Sequence, residues 1–69
     1  MKIKELRLNG KYLETFCSVD DTWNVYLLDG VKYCFSHTAL AFDLTGNKKT
    51  YLYSEIVDHR NSKCEVIDA

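Results

Sequence analysis

The sequence predicts an all-β domain, a small antiparallel meander of about six strands curled as a small barrel or folded on itself. Three observations predict it. Residues 23–36, WNVYLLDGVKYCFS, alternate with a period of two around Asp29-Gly30. The pairs Asn9-Gly10 and Asp29-Gly30 and the run Thr45-Gly46-Asn47-Lys48-Lys49 are turn signals that divide the chain into short segments. The segments between them carry many aromatic and β-branched residues, the side chains that suit a pleated surface.

In chain order, residues 1–8 read as a strand because Leu6 and Leu8 alternate with Glu5 and Arg7. Residues 11–18 form the return strand. The competing reading is α+β: Tyr12, Leu13, Phe16 and Cys17 stand at helical spacing, and Asn9-Gly10 would also end a short N-terminal helix. Asp20 and Asp21 then make a turn through side chains that bond nearby amides.

The hairpin 23–36 allows two registers. A two-residue Asp29-Gly30 turn sends the odd positions of its two strands to opposite faces, whereas a three-residue loop gathers Trp23, Val25, Leu27, Val31, Tyr33 and Phe35 on one face. The second is preferred, with a wet face of Asn24, Tyr26, Lys32 and Cys34. Residues 38–44 alternate again, although Ser36 would equally cap a single helical turn. Residues 50–57 read as a strand with Tyr51, Tyr53, Glu55 and Val57 on one face, and residues 63–67 as the last strand.

Sixty-nine residues form a single domain spanning 1–69, small enough that extended catalytic machinery is not expected. Apolar residues make up 46%, enough to build a core. A net charge of −1 gives no overall attraction to nucleic acid or anionic membrane. The charge is uneven, with Lys2, Lys4, Arg7 and Lys11 making the first stretch basic and Glu14, Asp20, Asp21 and Asp29 the next acidic. Three cysteines cannot all pair with one another, and the chain starts at Met1 without a secretory leader or an apolar run of membrane-spanning length. The expectation is a cytoplasmic protein with free cysteines.

Cys34, His37, His59 and Cys64 are spaced as Cys-x2-His and His-x4-Cys, so a zinc-stabilised domain is one reading, although no glycine-rich knuckle accompanies either pair. Cys34, His37 and Asp43, or Cys64, His59 and Asp58, write a nucleophile triad on paper, without an evident oxyanion site or dry pocket. A second reading is a single-stranded nucleic-acid-binding β-barrel, with Tyr51 and Tyr53 after Lys48-Lys49, and Tyr26 beside Lys32, as stacking platforms. Over residues 6–44 the segment order resembles the bacterial Sm-like RNA chaperone family, through Leu8-Asn9-Gly10 at the end of a first strand and His37-Thr38-Ala39 at a late bend. That resemblance implies an RNA-binding barrel; the segments after residue 44 and the missing basic excess depart from it.

The preferred function is non-enzymatic, with no cofactor: a protein-interaction module, in the manner of a small accessory, inhibitor or regulator, including one encoded by a phage or mobile element. Nine aromatics exceed what one ribbon face requires, and surface tyrosines commonly anchor interfaces. The expected binding residues are Tyr26, Tyr51 and Tyr53, flanked by Asp20, Asp21 and Lys32. The partner is another protein, or a second copy in a homodimer.

Overall fold

A computed structural model describes residues 1–18, 21–43, 45–59 and 67–68. Its order is α1 (Ile3–Asn9), β1 (Lys11–Cys17), β2 (Thr22–Leu28), β3 (Val31–Ser36), α2 (His37–Phe42), β4 (Tyr51–Leu52), α3 (Tyr53–Ile56), a single 3-10 turn (Val57–His59) and β5 (Ile67–Asp68). The strands form one antiparallel sheet in the order β4-β3-β2-β1-β5. This is an open, mixed α/β arrangement rather than a six-stranded all-β barrel. Two two-residue strands flank a three-stranded meander.

The first correction is at the N-terminus, where residues 3–9 are helical. Ile3 and Leu6, one helical turn apart, are both fully buried, whereas Leu8 is 79% exposed. The alternation of Leu6 and Leu8 was therefore not a strand signal. Asn9-Gly10 ends this helix, as the competing reading held, and the Gly10 N–H donates to the Leu6 carbonyl at 2.8 Å. A Cβ on Gly10 would lie 2.7 Å from that oxygen, so the close approach requires glycine. Leu8-Asn9-Gly10 thus closes a helix, and the Sm-like pattern of a strand ending in Asn-Gly does not apply.

Lys2 offers α1 no side-chain cap. Its first amides are satisfied instead by the 43–50 loop: the Ile3 N–H donates to the Lys48 carbonyl and the Lys4 N–H to the Gly46 carbonyl, both at 2.9 Å. The Thr50 N–H donates to the Met1 carbonyl at 2.9 Å, and Lys2 bridges Lys49. Asp43 organises the loop through hydrogen bonds from the Thr45 hydroxyl and the Thr45 and Lys48 amides. Gly46, at φ 74°, is buried against Lys4.

The hairpin uses the two-residue turn. Leu28 pairs with Val31, Leu27 with Lys32, Tyr26 with Tyr33 and Val25 with Cys34. Asp29 and Gly30 have φ of 53° and 78°, the two left-handed residues that a type I′ turn needs. The apolar residues consequently divide between both faces. On one face Ile3, Leu6 and Phe35 are buried, with Tyr26, Leu28, Tyr33, Ala39 and Leu40 packed around them. On the other Phe16, Val25 and Cys34 are buried, with Leu13, Trp23, Tyr53 and Ile56 packed around them. A three-residue loop would win only if one face met water. Here α1 and α2 cover one face and α3 the other, so dividing the apolar residues buries more of them.

Residues 38–44 are not a strand. The Ser36 hydroxyl accepts the Ala39 N–H at 3.0 Å and starts α2, the capping alternative read from the sequence. Residues 50–57 are strand only at Tyr51–Leu52, after which Tyr53 and Ile56, three apart in α3, both pack on the second core. A continued strand would have pointed those two side chains to opposite faces. Of the last strand expected over 63–67, residues 63–66 lie outside the described residues, and β5 pairs Ile67 with Thr15 and Asp68 with Glu14.

The β1–β2 turn is held by Ser18. Its hydroxyl accepts the Trp23 indole N–H at 3.0 Å and the Asp21 N–H at 3.2 Å, and donates to the Asp21 carbonyl at 3.1 Å. The Asp21 carboxylate accepts the Thr22 N–H at 2.8 Å, the local role its sequence suggested. Opposite, a bulge between Tyr12 and Glu14 lets Tyr12 and Thr15 share a face. Tyr12 and Thr15 lie 2.6 Å apart through their hydroxyls, and Thr15 donates to Asn24 Oδ1 at 2.9 Å.

Candidate interaction surfaces

The β3–β4 edge brings three of the expected binding residues together. Tyr51 sits opposite Cys34, is 50% exposed, and meets Trp23 edge-to-face with ring centres 5.8 Å apart. Lys32 is exposed and holds its Nζ 5.3 Å from the centre of the Tyr53 ring, a cation–π contact. Tyr53 itself is half-buried and edge-on to Phe16 at 6.0 Å. Its ring is part of the second core, not a free stacking platform.

Tyr26 lies on the other face, tilted against Phe35 and edge-on to Tyr12, with 5.6 Å between centres in each pair. The expected neighbours Tyr26 and Lys32 are therefore not one patch. Asp20 is outside the described residues, and Asp21 spends its carboxylate on the turn.

Two surface features escaped the sequence reading. Val31 and Leu52, each 39% exposed, lie on the first-core face of the β3–β4 edge, and Tyr51 on the opposite face, since Leu52 pairs with Tyr33 and Tyr51 with Cys34. β4 covers only Tyr33 and Cys34 of β3, and among the described residues no strand pairs with its outer side. The other feature is a surface cleft of about 430 Å³ lined by Lys4, Arg7, Leu8, Tyr26, Thr45 and Gly46. The signal for the cleft was the basic N-terminal stretch; its assembly depends on α1 and the 43–50 loop, which the strand reading had removed.

Cys34 is fully buried beside Phe16 and Val25, and this burial, reinforced by the nearby Glu55 carboxylate, pushes its thiol up to about 12. At neutral pH it is protonated, so it is a poor nucleophile and a poor metal ligand. His37 is exposed at the start of α2. The His59 side chain and Cys64 lie outside the described residues, and no cluster of three His, Cys, Asp or Glu suited to a metal occurs among the described ones. Asp43 has its carboxyl held below the usual range, first by the Thr45 hydroxyl and then by the loop amides.

The expectation of free cysteines holds for Cys34 and fails for Cys17, which is disulfide-bonded. An odd number of cysteines leaves at least one unpaired but does not forbid a pair. Among the described residues no helix is long and apolar enough to cross a membrane. Comparison with known proteins finds no family model, curated protein or solved structure that matches this chain.

Proposed function

We propose that this protein is a non-enzymatic interaction module that receives an extended segment of another protein along the open β3–β4 edge. The observation that carries the reading is the coincidence, at one edge, of strand backbone left unpaired among the described residues with exposed apolar side chains, Val31 and Leu52 on one face and Tyr51 on the other. Edge strands with accessible backbone accept an added strand, and side chains beside them select the partner. Lys32, on the Tyr51 face of this edge, gives it a positive charge that disfavours pairing with a second copy of itself. The role this suits is that of a small accessory, inhibitor or regulator acting on its partner.

The test is a Val31→Lys plus Tyr51→Ala variant, both changes falling on exposed positions. With circular dichroism and melting unchanged within a few degrees, the variant is expected to lose a protein that the wild type captures from lysate. Undiminished capture by the folded variant assigns the interface elsewhere. A wild type that sediments as a dimer, with the variant monomeric, replaces the partner protein with a second copy.

A further inference from the structure

We infer that the cleft between α1 and the sheet binds a small phosphorylated ligand bearing an aromatic ring, of the mononucleotide class. This site is independent of the β3–β4 edge. Its volume of about 430 Å³ falls in the usual range for small-molecule sites. Lys4 and Arg7 are three residues apart on α1, hence on one helix face, and both line the cleft. No carboxylate lines it, and among the described residues neither cation is engaged in an ion pair.

The charges around the cleft favour an anion. Asp43 does not line the cleft; its carboxylate, kept ionised by the Thr45 hydroxyl and the Thr45 and Lys48 amides, offsets one of the nearby cations. Glu5 is on α1 and does not line the cleft. Lys2, Lys48 and Lys49 are brought beside the start of α1 by the Lys2–Lys49 bridge and the bond from Ile3 to Lys48, adding to the local positive potential. An arginine fork with an ammonium one turn away suits the several oxygens of a phosphate.

The rest of the lining includes Leu8 and Tyr26 beside Thr45 and Gly46. Tyr26 is fixed between the Tyr12 and Phe35 rings, and Leu8 offers a side chain that is 79% exposed. These two surfaces fit a ring rather than a second charge. The walls are also one unit: the Lys4 N–H bonds to the Gly46 carbonyl at 2.9 Å, and Gly46 lies so close to Lys4 that an added Cβ would sit 2.8 Å from the lysine Cβ. The backbone of the two walls is thus fixed before a ligand arrives, and the ordering cost falls on the exposed Lys4 and Arg7 side chains.

The experiment is an amide-resolved NMR titration at low salt with AMP, adenosine and inorganic phosphate run separately. AMP is expected to shift the Lys4, Arg7 and Gly46 signals and to bind at least about tenfold more tightly than either fragment, with a Kd that rises with salt. Lys4→Gln plus Arg7→Gln should weaken AMP at least about tenfold while the rest of the spectrum is retained, and Arg7→Gln alone carries the same test if the double variant unfolds. No AMP shifts at these residues, adenosine or phosphate equal to AMP, or a folded variant that binds like wild type each overturns the inference.

Discussion

Substituting alanine at each of the three glycines separates two causes of instability, because the three positions differ in what a methyl group would meet. Gly30 has φ 78° and open space around the added Cβ. Its cost is backbone strain of about 1–2 kcal/mol, offset by about 0.4–1 kcal/mol through the stiffer unfolded chain, leaving a net loss of about 1 kcal/mol. Gly46 has nearly the same φ, 74°, but its Cβ would stand 2.8 Å from Lys4 Cβ and 3.1 Å from the Lys4 Cα and N. Crowding adds about 1–3 kcal/mol to the strain, for a net loss of about 2–4 kcal/mol. Gly10 has an ordinary φ of −89° and meets the Leu6 carbonyl oxygen at 2.7 Å and the Leu27 carbonyl oxygen at 3.3 Å. Crowding alone then costs about 1–3 kcal/mol. The assay is urea unfolding followed by tryptophan fluorescence, supported by melting curves in which each kcal/mol moves the midpoint about 4–8 °C. If Gly46→Ala is no more destabilising than Gly30→Ala, the loop is not clamped on α1 and the account of how that helix is capped fails.

Cys34 should make stability fall in alkali. Its folded pKa is raised from 9.0 to about 12, so the stabilisation is complete below pH 9 and is lost as pH climbs from there toward 12. Between pH 7 and pH 10 the loss is about 1.4 kcal/mol, which Cys34→Ala should lack; a variant with the same pH dependence as wild type refutes the assignment. Ser36→Ala should cost about 1 kcal/mol and Ser36→Asp much less, read as melting temperature, since only the hydroxyl or carboxylate can accept the Ala39 amide. Equal losses in the two variants would mean the cap is not what starts α2.

The central ribbon was legible because its period-two pattern spans both strands and Asp29-Gly30 is a strong turn signal. Its register was not. The choice depended on whether one face or both would be covered, and that is decided by α1, α2 and α3. Each of those helices is short enough to offer only two to four apolar positions, so helix and strand patterns coincide: Leu6 with Leu8 argues for a strand, Ile3 with Leu6 for a helix, and only burial separates them. Tyr53 shows the same difficulty at the site. Its place after Tyr51 suggested a surface pair, but the turn into α3 carries it under Lys32 and onto Phe16.

Covering both faces of a sheet with so little chain has a consequence for where binding can occur. The faces supply both cores, and a disulfide at Cys17 adds a restraint of the kind small domains commonly use. Most large apolar side chains are thereby committed to packing, and a partner that required them would have to unpack the fold. Among the described residues, what stays accessible without that cost includes the sheet margin, where β4 is only two residues long, the seam where α1 rests on the 43–50 loop, and Phe42, 81% exposed at the end of α2. The margin offers backbone and apolar side chains; the seam offers Lys4 and Arg7 beside Tyr26. Their chemistries differ, so a change at one should leave the other intact. Val31→Lys plus Tyr51→Ala should therefore not alter AMP binding, and Arg7→Gln should not alter capture of a protein partner.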